Sequence, residues 1–311
     1  MIKVSVILCA HNPRDAFLKR VLAGLRAQTL PYDQWELLLV DNGSQSPLSG
    51  RIDLSWHPRA RHVREEELGL TPARLRGIRE SVAEILVFVD DDTVLAVDYL
   101  EQAMKIGAEW PFVGSWGGSI SPEFEVPLPA WVGDQIWRLT VTQVTEDIWG
   151  NSRESFATHP CGAGMCFRRS VGQAYLSRCQ SSGQNVISDR KGGNLSGYGD
   201  MDLNHSAIDL GLGTGRTPRL QLTHLIPGTR LTVDYFVRHA EGDAASFMLF
   251  RASRGLPISA PKPMTRMGYL RWFIHRLIHR IPREQYLIAK AHQRGLQKGW
   301  ALVHSQSQKS R

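Results

Sequence analysis

The chain has 311 residues, 42% of them hydrophobic and 22% charged, enough to bury one large core with or without an appendage and too apolar for an intrinsically disordered chain. Its formal net charge of +7 is uneven: residues 262–311 hold 11 Lys and Arg against the single acid Glu284, a net of +10, while the remainder carries 26 basic and 29 acidic side chains, a net of −3. No uncharged apolar run approaches the ~20 residues that span a bilayer, and no charged segment with an apolar stretch and a cleavage site opens the sequence, so a cytoplasmic, unexported chain is expected.

Val4 to Ala10 is apolar except for Ser5, without polar alternation, and reads as a strand covered on both faces. Pro13 and Asp15 suit the first turn of a following helix, in which Phe17, Val21, Leu22 and Leu25 recur at helical spacing until Thr29 and Pro31. Glu36 to Val40 reads as a second buried strand, ended by the turn-forming Asp41-Asn42-Gly43-Ser44. Thr71 to Glu84 has helical periodicity, with Thr71 expected as N-cap and Pro72 at the first helical position, and Ile85 to Val89 is a third strand, ending in Asp90-Asp91-Asp92. Alternating strands and helices imply a mostly parallel α/β sheet, Rossmann-like, whose ligands sit beyond the carboxyl ends of the strands. Past Trp110 the pattern is less regular and suits short strands and loops. A glycine-rich stretch from Arg190 to Gly199 precedes Asp200-Met201-Asp202, a short helix is expected over Leu203, Ala207 and Leu210, and Leu220 to Thr223 reads as a strand before His224. Cys9, Cys161, Cys166 and Cys179 match neither zinc-ligand hooks nor a disulfide framework and are read as reduced packing residues.

Three consecutive aspartates at one strand end repel one another unless a cation or a row of free N–H groups neutralises them. Hard oxygen ligands of this kind suit Mg²⁺ or Mn²⁺, and such an ion bridges the phosphates of a nucleotide diphosphate; helix capping is the competing explanation. No GxGxxG follows the first strand, which disfavours a dinucleotide-dependent oxidoreductase.

The segments VSVILCAHNP, LLLVDNGS, GLTPARLRGI, ILVFVDDDT, CGAGMCFRRS and YGDMDL, in this order and spacing, resemble the inverting family 2 glycosyltransferases of GT-A fold, over residues 3 to about 240. The resemblance implies that Ala10, His11, Asn12 and Asp41 hold the nucleoside, that Arg74, Asp90, Asp91 and Arg230 serve the nucleotide and its phosphates, and that Asp92 and His224 hold the metal. It also implies a general base in a Glu-Asp-x-Asp-like element, here Gly199-Asp200-Met201-Asp202, with Asp200 as the base and Asp202 as its understudy. Gly162 and Gly164 resemble a lead-in that borders sugar and acceptor, and Trp116, Gly118 and Trp131 are candidate acceptor contacts, with core or loop packing the commoner role of such tryptophans. Gly199 stands where the family has its first acid and Leu75 where it often has Asn, which puts the donor and acceptor contacts at those two positions in doubt.

In the C-terminal region Leu270, Phe273, Leu277, Ile278 and Ile281 form one helical stripe with Arg271, Arg276 and Arg280 beside it, the pattern of a helix lying on an anionic membrane or packed on the catalytic domain. No nucleic-acid-binding module accompanies the charge. The expectation is a catalytic domain over residues 1–240 and a basic helical extension over 241–311. Its expected activity is metal-assisted transfer from a nucleotide-diphosphate sugar, a UDP-sugar foremost, to a saccharide or lipid-linked hydroxyl, peripherally at the inner membrane face. The alternative is a catalytically silent nucleotide- or glycan-binding protein of the same fold.

Overall fold

The computed structural model describes residues 1–181, 197–261, 267, 268, 271, 274, 276, 278 and 281–309. The stretch 190–196 and, in the C-terminal stripe, Leu270, Phe273, Leu277 and Arg280 lie outside the described residues. The described chain divides into two compact units. The first comprises Met1–Glu123, the stretch from Thr140 to the end of the helix at Ser181, and Gly199–Ile226; the second comprises Phe124–Leu139, Tyr198 and the chain from Pro227 onward.

The first unit is built on one mixed sheet. Its strands are β1 (Val4–Ala10), β2 (Trp35–Asn42), β3 (Ala60–Glu65), β4 (Ile85–Asp90), β5 (Thr93–Leu95), β6 (Val113–Phe124), β7 (Ile148–Gly150), β8 (Cys166–Arg168) and β9 (Gly213–Ile226). They lie in the order β3-β2-β1-β4-β8-β6-β9-β5, with β7 against β9. The β3-β2-β1-β4 part is parallel, and β4 pairs antiparallel with β8. All seven residues of β1 are buried because both faces of the sheet are covered. Alternation along the strand sends Val4, Val6 and Leu8 into one core with α1 (Asp15–Arg26) and α3 (Tyr99–Glu109), and Ile7 and Cys9 into the other with α2 (Leu70–Glu80) and α4 (Arg169–Ser181). Each such aliphatic side chain contributes about 1.5–3 kcal/mol on full burial.

The helix and strand limits differ from expectation in ways that have local causes. Gly69, at φ 139°, caps α2, so Thr71 and Pro72 lie two residues deeper in its first turn than expected, and the helix stops at Glu80 rather than Glu84. The turn after β2 begins at Gly43 (φ 61°), leaving Asp41 and Asn42 inside the strand. Helix α5 (Gly199–Asp209) starts four residues before Leu203, taking both Asp200 and Asp202 into its first turn. The irregular region after Trp110 contains the twelve-residue β6, and β9 is long enough to include His224. β3, β5, α3 and α4 are additional to the elements read above.

In the second unit, α6 (Val233–Ser253) and α7 (Arg283–Lys309) pack together. Gly295 and Gly299 of α7 sit against Glu241–Ala244 and Ala245–Met248 of α6, so the two helices run in the same direction. Helix α6 passes through residue 240 without a break. No helix among the described residues is long and apolar enough to cross a membrane.

Candidate active site

The chain runs from β1 to β2 and β3 on one side and returns to β4 on the other, so β1 and β4 flank a switch of direction, where parallel sheets open a crevice at their carboxyl ends. Ala10 ends β1 and pairs with Asp41; Cys9 pairs with Asp90, and Asp41 pairs with Arg64. Main-chain register therefore lines up the predicted nucleoside and acidic residues along one edge. Burial pushes the Cys9 thiol up to about 12, Arg74 opposing this and Asp90 and Asp91 adding to it, which marks how closely these charges gather.

At the β1–β2 side, Asn12 adopts a left-handed conformation (φ 46°) that aims its N–H at Ser44 Oγ (2.9 Å), while its Oδ1 accepts from Gln45 N–H (2.9 Å). His11 Nδ1–H donates to the Asn42 carbonyl (2.6 Å), and Nε2 accepts from the Asn12 amide (3.1 Å). Asp41 is buried and accepts from the N–H groups of Ser44 and Leu48, each at 3.0 Å, and from Arg64 at 2.8 Å. Burial raises its pKa, but hydrogen bonds from Ser44, Leu48 and Arg64 outweigh that and hold it below the ordinary carboxylate value. Asp41 thus shapes its own loop, Oδ2 accepting from both Leu48 and Arg64 and Oδ1 from Ser44. Asn42 is a site-forming residue that motif reading passed over: its amide accepts from Gly69 N–H (2.8 Å) and donates to the Glu67 carbonyl (2.7 Å), tying the β2 turn to the start of α2. A buried amide with four hydrogen-bonding positions needs such partners, but the sequence does not say which.

A second group lies around the start of α5. Arg74 is buried, with its guanidinium 4.8 Å from the centre of the Phe88 ring and Nη2 3.3 Å from Asp90 Oδ1. Gly162 fits directly on it: a Cβ there would stand 2.6 Å from Arg74 Nη2. The same glycine donates its N–H to Asp200 Oδ2 (2.9 Å), and Asp200 Oδ1 accepts from Met201 N–H (2.8 Å). Asp90, Arg74, Gly162 and Asp200 therefore form one contiguous set. Leu75, in the position of doubt, packs against the apolar core beneath α2.

Asp91 and Asp92 form the turn that carries the chain from β4 to β5, on the far edge of the sheet. Thr93 pairs with His224, and the Asp92 carbonyl accepts from Leu225 N–H (2.8 Å), which fixes the two strands side by side. His224 Nε2 and Asp92 Oδ2 are 3.5 Å apart, both on buried side chains. Among the described residues no group of three or more His, Cys, Asp or Glu converges as a metal-binding set.

Several expected contacts fall elsewhere. Trp116 is wholly buried in the β6 core with the Arg168 guanidinium 5.7 Å from its ring centre, so it is not a sugar-stacking platform; a strand facing two covered layers buries its large side chains. Gly118 has no room for a Cβ because the Leu220 main chain of β9 lies against it, making it a strand-packing glycine. Gly164 (φ 72°) turns the chain so that its carbonyl accepts from Tyr99 OH (2.6 Å). Asp202 is buried and paired with Arg178 Nε at 3.1 Å, which joins α5 to α4 and removes it as an understudy base. Trp131 and Arg230 belong to the second unit, where the Trp131 ring meets Phe236 edge-on (5.0 Å) and Arg230 ends the short turn Gly228–Arg230. The four cysteines are free, as expected.

Over 148 residues the chain is 28% identical to "Glycosyltransferase AglE" of Haloferax volcanii, covering 47% of each. Over 102 residues it is 32% identical to "Polypeptide N-acetylgalactosaminyltransferase 8" of Drosophila melanogaster, covering 32% of this chain and 17% of that protein. The chain thus spans half or less of the length of these curated relatives. The solved structure of S. aureus TarS 1-349 superposes with a TM-score of 0.50 at 12% identity, covering 100% of this chain and 92% of that one, which shows a shared fold. The model of the family described as "Glycosyl transferase family 2" matches residues 5–171, and since that is more than half of the 311 residues, the chain belongs to glycosyl transferase family 2.

Proposed function

We propose that this chain is a metal-dependent, inverting glycosyltransferase that moves a sugar from a nucleotide-diphosphate donor, a UDP-sugar in the first instance, to a hydroxyl of a saccharide or lipid-linked acceptor. The observation that carries the proposal is the contiguity of Asp200, Gly162, Arg74 and Asp90 at the carboxyl edge of the sheet. In this reading residues 1–240 are catalytic and residues 241–311 are an extension.

Ala10, His11, Asn12 and Asp41 bind the nucleoside, and Arg74 gives the diphosphate a buried guanidinium that reaches two oxygens at once. A carboxylate oxygen and an imidazole nitrogen, as Asp92 and His224 present them, suit Mn²⁺ and leave further positions for phosphate oxygens. Once bound there, the ion neutralises charge developing on the departing diphosphate. Asp200 takes the proton of the acceptor hydroxyl: both of its oxygens are held by N–H donors, and each keeps a lone pair for the incoming proton. Transfer then proceeds by one in-line displacement with inversion. Arg230 and Trp131 are proposed to serve phosphate and acceptor.

A UDP-sugar panel tests the proposal. One donor is expected to raise the melting temperature in Mn²⁺ and lose that effect in chelator or in Asp92→Ala and His224→Ala. Asp200→Asn is expected to bind that donor normally and transfer about 10²–10⁴-fold more slowly. Donor binding that is indifferent to chelator overturns the metal role, and wild-type turnover by Asp200→Asn overturns the base. Binding without any transfer by the wild type supports the silent binder instead.

The basic C-terminal segment is proposed to touch an anionic membrane surface. In support, Met267, Ile274 and Ile278 share helical spacing and are 64%, 46% and 70% exposed, with Arg271 and Arg276 between them. Arg271→Glu with Arg276→Glu should abolish sedimentation with phosphatidylserine vesicles; unchanged sedimentation refutes the contact.

A further inference from the structure

We propose that Asn204 is a positioning residue for the transfer reaction: it clamps the Pro160–Gly162 strap to α5 so that the Asp200 carboxylate is held against Gly162, which the Arg74 guanidinium also meets. This rests on the reading of Asp200 as the base. Asparagine is a poor choice for a helix interior, since its amide competes with the backbone, and a fully buried amide costs stability unless it is bonded. Asn204 is fully buried, and both ends of its amide are used away from its own helix. Its Oδ1 accepts from Ser115 Oγ of β6 (2.7 Å), and its Nδ2 donates to the Pro160 carbonyl (3.0 Å).

The spacing makes this a two-point clamp. Asp200 and Asn204 lie one helical turn apart on the same face of α5, separated by about 6 Å of rise. Their contacts on the strap, the Pro160 carbonyl and the Gly162 N–H, belong to the two peptide groups on either side of Cys161, so a short piece of strap is held at both ends by one turn of helix. Two further contacts hold the residue before Pro160: Arg216 Nε donates to the His159 carbonyl (2.7 Å), and the His159 ring lies 5.5 Å from that of His205, the residue after Asn204. With Gly162 alone, the Asp200 carboxylate has a single point on the strap about which to pivot. The second point removes that freedom.

Asn204→Asp is the decisive variant, because it keeps the size and the bond from Ser115 while replacing the donor to Pro160 with an acceptor. The clamp predicts that the Gly162 amide exchanges with solvent at least tenfold faster, with the β1 and β4 amides unchanged. UDP binding in Mn²⁺, measured by calorimetry, should keep its stoichiometry and stay within twofold in Kd. UDP release from the best donor among UDP-glucose, UDP-galactose and UDP-N-acetylglucosamine should show kcat, per UDP-binding molecule, reduced at least tenfold at unchanged donor KM. Should Asn204→Asp fail to fold, Ser115→Ala frees the other end of the amide and should move the same three readouts in the same directions. Unchanged Gly162 exchange, or kcat per binding-competent molecule within twofold of wild type, overturns the clamp. Asp200→Asn at wild-type turnover overturns the base reading and the clamp with it; Asp200→Asn inactive beside a fully active Asn204→Asp overturns the clamp alone.

Discussion

Gly162→Ala adds one methyl group at the point where the site is tightest. The new Cβ would stand 2.6 Å from Arg74 Nη2, 2.9 Å from Nη1 and 3.1 Å from Cζ, so the guanidinium must retreat by about 0.8 Å to regain an ordinary contact of 3.4 Å. Arg74 has little room to do so: it is buried, stands over Phe88, and reaches Asp90 at 3.3 Å. Overpacking of this kind costs about 1–3 kcal/mol. If the cost falls on the guanidinium in its phosphate-binding position, UDP affinity drops roughly 5- to 150-fold at 1.4 kcal/mol per decade. Titration calorimetry with UDP and Mn²⁺ reads that number, and a thermal melt reads any part taken by stability. A Kd within twofold of wild type together with an unaltered melting temperature would refute the placement of Arg74 against Gly162 and its role toward phosphate.

Three further outcomes follow from burial and charge. Trp116→Ala should cost about 3–5 kcal/mol through the cavity left in the β6 core, lowering the melting temperature without raising acceptor KM for the molecules that remain folded; a selective KM effect would restore the stacking role. Asp202→Asn leaves the Arg178 guanidinium short of its carboxylate and should cost about 1–3 kcal/mol, with turnover per folded molecule unchanged, whereas a thousandfold loss of turnover would return Asp202 to the catalytic set. His57 sits among Tyr32, Trp35 and Trp56, where burial, reinforced by Arg59, holds its pKa down to about 4 against an ordinary 6.5. Between those values the unfolded chain takes up a proton that the native imidazole refuses, so His57 contributes a loss of stability as pH falls from 6.5 to 4. His57→Phe should flatten the melting temperature against pH across that window, and an unchanged slope would contradict the shift.

The parallel half of the sheet was legible in the sequence because its strands are covered on both faces. Burial on two sides permits no polar alternation, and the runs at Val4–Ala10 and Ile85–Val89 stand out for that reason. The acidic turns were legible as well, since a parallel strand delivers its last residues to the ligand-bearing edge whatever the details of packing. The antiparallel half was less legible: β6 interrupts its apolar residues with Gly117, Gly118 and Ser119, each suited to a neighbouring surface that a one-dimensional pattern does not contain. Aromatic residues misled for a related reason, because Trp116 in a core and a tryptophan beneath a sugar have the same local sequence.

What the sequence determined by itself was a set of chemical groups and their places at the ends of elements: Asp41 and Asp90 at strand ends, Asp92 in the turn after β4, Asp200 at a helix start and His224 in the strand before a turn. Which of these groups lie together was decided by tertiary structure alone. Asp200 and Arg74 meet at Gly162, 38 residues before Asp200 in the chain, and Asp202 is drawn off by Arg178 from the neighbouring helix. Hydrogen bonds and ion pairs depend on distances of a few ångströms between segments far apart in sequence, and those distances exist only once the two cores have packed.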